Sequence, residues 1–262
     1  VIYIREGDLF VLWIDASHVW IACGATIFLM LFHYLSPWFA HCLPRGGRGF
    51  VSFAGGVAVA YVFLHMLPDL VEYNQPIGKF LLSHAWLTPF TELLIYIAAL
   101  FGFLVYYGLE LLAEDYLNVK QSDAWVYALH LSMFCLYNFL ITYTMSLRAL
   151  SSIPATAVFT FAMALHFVLT DRKFSRFYTS KFKHIGRFVL MLSLFVGWLC
   201  SAIFDPVNVL VSAFMLAFLA GSVLLNVFRE ELPAAKFTNY TWFSCGICLI
   251  TLTLLLQIWI AM

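Results

Sequence analysis

The sequence predicts an all-α integral membrane protein of eight transmembrane helices, and three observations predict it. Hydrophobic residues make up 63% of the 262 and charged ones only 11%, against roughly 45–50% and 25% in soluble domains. The mean hydropathy is +0.92, so polar side chains are too few to cover a water-facing surface. The apolar residues are gathered into eight runs of about the 17–25 residues that cross a hydrocarbon core.

The first run spans about 10–39 and stops at the breaker cluster Leu43-Pro44-Arg45-Gly46-Gly47-Arg48. The second covers 50–70 and the third 90–112. The fourth, 124–147, is separated by Ser151-Ser152-Ile153-Pro154 from the fifth, 154–169. A basic connector precedes the sixth, 185–204, and Asp205-Pro206 breaks it from the seventh, 207–228. The eighth runs over 240–262, so the whole of 1–262 reads as one transmembrane domain. None of the runs has the ten-residue alternation of a membrane barrel. Helices are expected because each span then satisfies its own backbone groups in lipid. The chain begins with Val, so the N-terminus is expected to be processed or incomplete, and a targeting segment ahead of it stays open.

Charge placement predicts the orientation. With eight spans, one side of the membrane holds Arg5, Lys79 and Arg148. The other holds Arg45, Arg48, Lys120, Arg229 and Lys236, with Arg172, Lys173, Arg176, Lys181, Lys183 and Arg187 in the connector between spans five and six. Eleven against three places the 171–187 loop in the cytoplasm and both termini outside it. The formal net charge is zero, which gives no basic surface for nucleic acid.

Two of the runs repeat one another. Residues 53–70 read FAGGVAVAYVFLHMLPDL and residues 218–235 read FLAGSVLLNVFREELPAA. At an offset of 165, Phe53, Gly56, Val62, Phe63, Leu67 and Pro68 meet Phe218, Gly221, Val227, Phe228, Leu232 and Pro233 without a gap. Spans two and seven run in opposite directions, so the duplicated halves would be inverted, as in many secondary transporters. Chance likeness between two apolar helices ending in Leu-Pro is the alternative, and six ungapped identities favour duplication. Gly55-Gly56 and Ala220-Gly221 would let these helices pack closely.

These stretches resemble the second and seventh helices of the ZIP (Zrt/Irt-like) metal transporters. The first matches a Phe-Ala-Gly-Gly…Leu-His-x-Leu-Pro-acidic pattern, the second an Ala-Gly turn with a terminal acidic-Leu-Pro. The resemblance implies a 3+2+3 bundle with helices one to three and six to eight as inverted triplets. It implies a zinc-like divalent metal ion as cargo.

Helices four and five depart from that family. A His-Asn-x-Pro-Glu-Gly motif on each would put a His and a Glu on one face, a donor set that suits Zn²⁺. Here helix four reads Ala128-Leu129-His130-Leu131-Ser132-Met133-Phe134-Cys135, and helix five Ala164-Leu165-His166-Phe167-Val168-Leu169-Thr170-Asp171. The leading histidines remain, while Leu131 and Phe167, Met133 and Leu169, and Phe134 and Thr170 replace the other motif positions. A carboxylate-rich binuclear site is excluded. His130 and His166 are the candidate metal ligands, with Cys135, Ser132 or Asp171 as helpers, for Zn²⁺ or a softer ion such as Cu(I). Against this stands a buried His that merely hydrogen-bonds a backbone or Ser neighbour. Asp171, beside the basic loop, reads as a solvated helix end.

Asp15 with His18, and His65 with Asp69, would form a cation-attracting outer mouth or simply wet interfacial positions. Glu230 and Glu231 are the corresponding exit candidates, and Glu92 and Glu110 read as interfacial. Cys245-Gly246-Ile247-Cys248 lies inside an apolar helix, where Cys acts as a small hydrophobe and not as a redox pair. No nucleotide, zincin or nucleophile-elbow motif occurs, so no enzyme is expected. A b-type haem on two axial imidazoles would need more width than closely packed helices four and five leave. The remaining alternative is a transport-inactive ZIP-like structural subunit of a larger membrane complex. The partners expected are the lipid bilayer, a metal ion, and further copies or other membrane subunits.

Overall fold

The computed structural model describes residues 17–42, 48–72, 93–118, 124–178, 182–204, 209–231 and 238–261. Among them every regular element is helical, and eight helices are long and apolar enough to cross a membrane. We label them α1 (Ser17–Cys42), α2 (Arg48–Tyr61, continued by a π-helical turn Val62–Met66), α3 (Leu94–Asn118) and α4 (Ala124–Tyr143, continued past Thr144 by Met145–Ser151). The others are α5 (Ile153–Phe177), α6 (Arg187–Phe204, entered by a π-helical turn Phe182–Gly186), α7 (Val209–Asn226, left by a π-helical turn Val227–Glu231) and α8 (Tyr240–Ala261).

Local chemistry explains where α4 gives way to α5. The hydroxyl of Thr144 donates back to the carbonyl of Leu140 at 2.8 Å. Such back-bonding competes with the helical ladder and bends it. The chain then restarts on Ser152, whose hydroxyl accepts from Ala155 N at 3.3 Å, with Pro154 in the first turn. From there α5 continues to Phe177, past the expected end at Leu169, and carries Asp171, Arg172, Lys173 and Arg176 with it as helix. Part of the basic connector is therefore helical.

α5 occupies the middle of the bundle, largely buried, and α8 its rim, largely exposed. The principal pairings are α3 with α7, α2 with α8, α4 with α6, and α1 with both α5 and α6. Glycine sets the closeness of the first two. A Cβ on Gly56 would collide with the Phe243 carbonyl and one on Gly246 with that of Phe53. In the same way Gly102 lies under the Phe218 carbonyl and Gly221 under that of Ala99. Small residues replace side-chain packing with direct backbone approach, the usual device between helices in lipid. The core is filled by Tyr61, Tyr106, Tyr137, Phe159, Met163 and Phe167, each under 2–3% exposed.

Directions can be read from hydrogen bonds. Asn138 and Thr142 of α4 donate to the carbonyls of Leu190 and Leu194 of α6, at 3.4 and 2.8 Å, so these helices run parallel. Arg187 reaches the Tyr34 carbonyl and Trp198 that of Val19, both at 3.1 Å, so α1 and α6 run antiparallel.

Candidate ion site in the helix interior

Three pairs of ionisable side chains lie inside the bundle. Each joins two different helices, because an ionised group in a membrane interior persists only where a partner compensates its desolvation.

The first centres on His33 of α1. Its Nδ1 lies 3.0 and 2.9 Å from the two carboxylate oxygens of Asp171 on α5, and both side chains are 1% exposed. Its Nε2 lies 3.1 Å from the amide nitrogen of Asn138, which also donates to the Leu190 carbonyl at 3.4 Å. A carbonyl can only accept, so Asn138 must turn its NH₂ toward Leu190 and hence toward His33. That leaves Nε2 as an acceptor. Nδ1 is thus the nitrogen that donates to Asp171. Phe167 stacks on the ring with centroids 4.4 Å apart.

The second pair contains His130, one of the two candidate ligands, which is 4% exposed. Its Nδ1 and the Tyr178 hydroxyl are 3.0 Å apart, and its Nε2 lies 3.4 Å from Oε2 of Glu110 on α3. Distance alone makes the latter an ion pair. No aligned hydrogen bond forms, and Nε2 has no hydrogen-bond partner. Burial first, then the Glu110 and Tyr127 neighbours, raises the pKa of the Tyr178 hydroxyl above its ordinary value, so it remains protonated.

The third pair lies at the other end of α4. Arg148 contacts Oδ2 of Asp69 at 3.2 Å and the Tyr61 hydroxyl at 3.4 Å, and its guanidinium sits 4.2 Å over the Phe159 ring. His65 approaches Asp69 at 3.5 Å, one turn away on α2.

His166, the other candidate ligand, has its own surroundings. Its Nε2 lies 3.4 Å from the Thr170 hydroxyl, and its ring sits 5.4 Å from that of Tyr137. Between the two histidines runs a relay of aromatic contacts: His130 to Phe174 at 6.0 Å, Phe174 to Phe134 at 5.1 Å, and Phe134 to Tyr137 at 6.2 Å. Among the described residues no group of three or more His, Cys, Asp or Glu could hold a metal ion.

Several sequence expectations need correcting. Asp171 is not a solvated helix end, because α5 runs on beyond it and the pairing with His33 closes it off. Glu110, near the end of the third span, is 8% exposed and lies beside His130. Arg148 is not a loop charge, since it lies within the fourth span and pairs with Asp69. Ser132 is exposed and bonds back to the Leu129 carbonyl at 2.8 Å, away from any site. Cys245 and Cys248 are exposed on α8 as free thiols. Asp15 and Glu92 lie outside the described residues, as do the side chains of Glu230 and Glu231. His33 and Asn138 were overlooked, although each is a polar residue inside an apolar run and was open to that flag.

Compared with known proteins, the chain has no match: no family model, no curated protein and no solved structure matches it.

Proposed function

We propose that this chain is a divergent ZIP-like permease that moves a zinc-like divalent metal ion across a membrane. The observation that carries this reading is the set of three acid–base pairs within the spans, two of them buried and the third part-buried. A bundle that served only to fill space would gain more from apolar packing, because desolvating ionisable groups offsets much of the attraction between them. Ionisable groups retained at that cost default to an ion pathway, and imidazole beside carboxylate is a zinc-type donor set. His130 and His166 are the ligands we assign to the cargo.

The packing supports the 3+2+3 inverted architecture behind the reading. Exchanging α1 with α6, α2 with α7, α3 with α8 and α4 with α5 turns the α2–α8 pairing into α7–α3. It turns α4–α6 into α5–α1 and leaves α1–α6, an antiparallel pair, as itself. The glycine contacts follow the same exchange. Gly56 and Phe53 map to Gly221 and Phe218 at an offset of 165, and Ala99 and Gly102 map to Phe243 and Gly246 at 144. The π-helical turns Val62–Met66 and Val227–Glu231 are also 165 apart. Phe63 and Phe228, equivalent under that offset, touch each other with centroids 6.2 Å apart, as residues on a pseudo-twofold axis must. On this reading the termini face away from the cytoplasm and the connector between α5 and α6 faces it.

One observation favours the second reading, a transport-inactive subunit. The relay through Phe174, Phe134 and Tyr137 puts aromatic rings where the related motif would have its carboxylate. Uptake of radioactive zinc by proteoliposomes containing the purified chain separates the two. The permease reading expects uptake above that of protein-free vesicles; none at any zinc concentration would leave the subunit reading.

A further inference from the structure

Four helices meet at one chain of polar contacts to which the permease reading gives no step. Asp171 of α5 faces His33 Nδ1 with both carboxylate oxygens, at 3.0 and 2.9 Å, and the Asn138 amide of α4 donates to His33 Nε2 at 3.1 Å. The same amide reaches the Leu190 carbonyl of α6 at 3.4 Å. All three side chains are 1% exposed. Both carboxylate oxygens turn to His33, so Asp171 is withdrawn from the helpers of His166. A tie between helices needs only amides and hydroxyls, and an imidazole with a carboxylate costs more to bury. What this pair adds is a place for one more proton, the lone pair of Nε2.

We propose that the His33–Asp171 pair is a proton-binding site, and that the proton it takes up releases the tie between α4 and α6 through Asn138. The inference goes beyond the permease reading and does not depend on it. The proton comes from water at the end of the fifth span, where Asp171 is the last residue but one. It bonds to the Nε2 lone pair and adds one positive charge to the cluster. Nε2 then donates. It cannot share that line with the Asn138 NH₂, which also donates, so the amide turns over to present its oxygen. The turn takes the NH₂ away from the Leu190 carbonyl, and the α4–α6 hydrogen bond through this residue is lost. At the same time α1 and α5 are tied more firmly, because a hydrogen bond between ionised partners is roughly twice as strong as one between neutral groups. The Phe167 ring, 4.4 Å from the imidazole, also favours a cation, being inside the range of about 6 Å. A proton needs neither a cavity nor a coordination shell, which suits so closed a site. Of the other titratable groups on the helices around α1, His166 of α5 lies 3.4 Å from the Thr170 hydroxyl. Arg187 of α6 reaches the Tyr34 carbonyl, and Arg148 past the end of α4 holds Asp69. Arg172 follows Asp171 on α5 and is half-buried. Asp171 is the group that answers a charge on His33.

The test is solid-state NMR of the full chain in lipid bilayers, with ¹⁵N at histidine and asparagine and ¹³C at aspartate and leucine. His33 is identified in the wild type by through-space contacts to both an Asp carboxyl and an Asn amide. Between about pH 8 and about pH 5, where imidazole ordinarily changes charge, Nε2 should pass from bare to protonated while Nδ1 stays protonated. The contact between the Asn138 amide nitrogen and the Leu190 carbonyl carbon should be lost in the same step. Asp171→Asn should keep Nε2 bare over this range. In the wild type, an Nε2 that stays bare throughout, or a bare Nδ1 at the alkaline end, overturns the site. An Asn138–Leu190 contact that survives protonation overturns the release. Proton uptake by Asp171→Asn equal to that of the wild type overturns the pairing. The wild-type spectra decide without the variant, so a misfolded Asp171→Asn cannot rescue the proposal. No zinc is present, so failure here is separate from failure of the uptake assay.

Discussion

At the scale of single residues, the account turns on polar groups that lipid would reject if they stood alone. His33 and Asp171 are the most enclosed of these, each at 1% exposure. Their worth lies less in the attraction between them than in the cost of leaving one without the other. Replacing His33 by Ala strands a buried carboxylate and should destabilise the protein by about 3–5 kcal/mol. Adding Asp171→Ala should then recover part of the loss, since two absent partners cost less than one abandoned charge. Equilibrium unfolding in detergent micelles measures both, and additive losses would contradict the pairing. His130 was recognisable from the sequence because an ionisable side chain inside an apolar run marks itself. Its partners were not. Glu110 and Tyr178 are brought to it by tertiary packing from α3 and the end of α5, which helical spacing along α4 cannot reveal. Asp171 was misjudged for the same reason, since whether a helix end is wet depends on what packs against it.

At the scale of the helices, backbone approach at glycine holds the outer pairs together. Gly56 and Gly221 each face a carbonyl of the neighbouring helix with no room for a Cβ. Gly56→Val and Gly221→Val should each force the pair apart and cost about 1–3 kcal/mol, by overpacking. Equal losses of thermal stability in the two variants would agree with equivalent positions in a repeat. A silent Gly221→Val would contradict the α3–α7 contact. The eight spans themselves were legible, because length and hydropathy alone decide what can cross a membrane. Their ends were less so. α4 is interrupted at Thr144, whose hydroxyl bonds to the preceding turn, and α5 runs through a basic stretch that composition assigns to a loop.

At the scale of the whole molecule, the proposed orientation and the proposed inversion each carry an expected outcome. Arg148 lies within the fourth span and pairs with Asp69. An impermeant thiol reagent applied to intact cells should leave a single cysteine at position 181 unmodified and label one at position 75. The reverse pattern would overturn the orientation. An experimental structure should superimpose α1–α3 on α6–α8 about an axis in the membrane plane, and α2 parallel to α7 would end the inversion.

The central claim is that the buried histidines of α4 and α5 serve an ion and not merely the packing. Zinc uptake by proteoliposomes of wild type and of the double variant His130→Ala/His166→Ala, matched for folded protein, tests it most directly. The account predicts uptake in the wild type and none in the double variant. Equal uptake in both would contradict it.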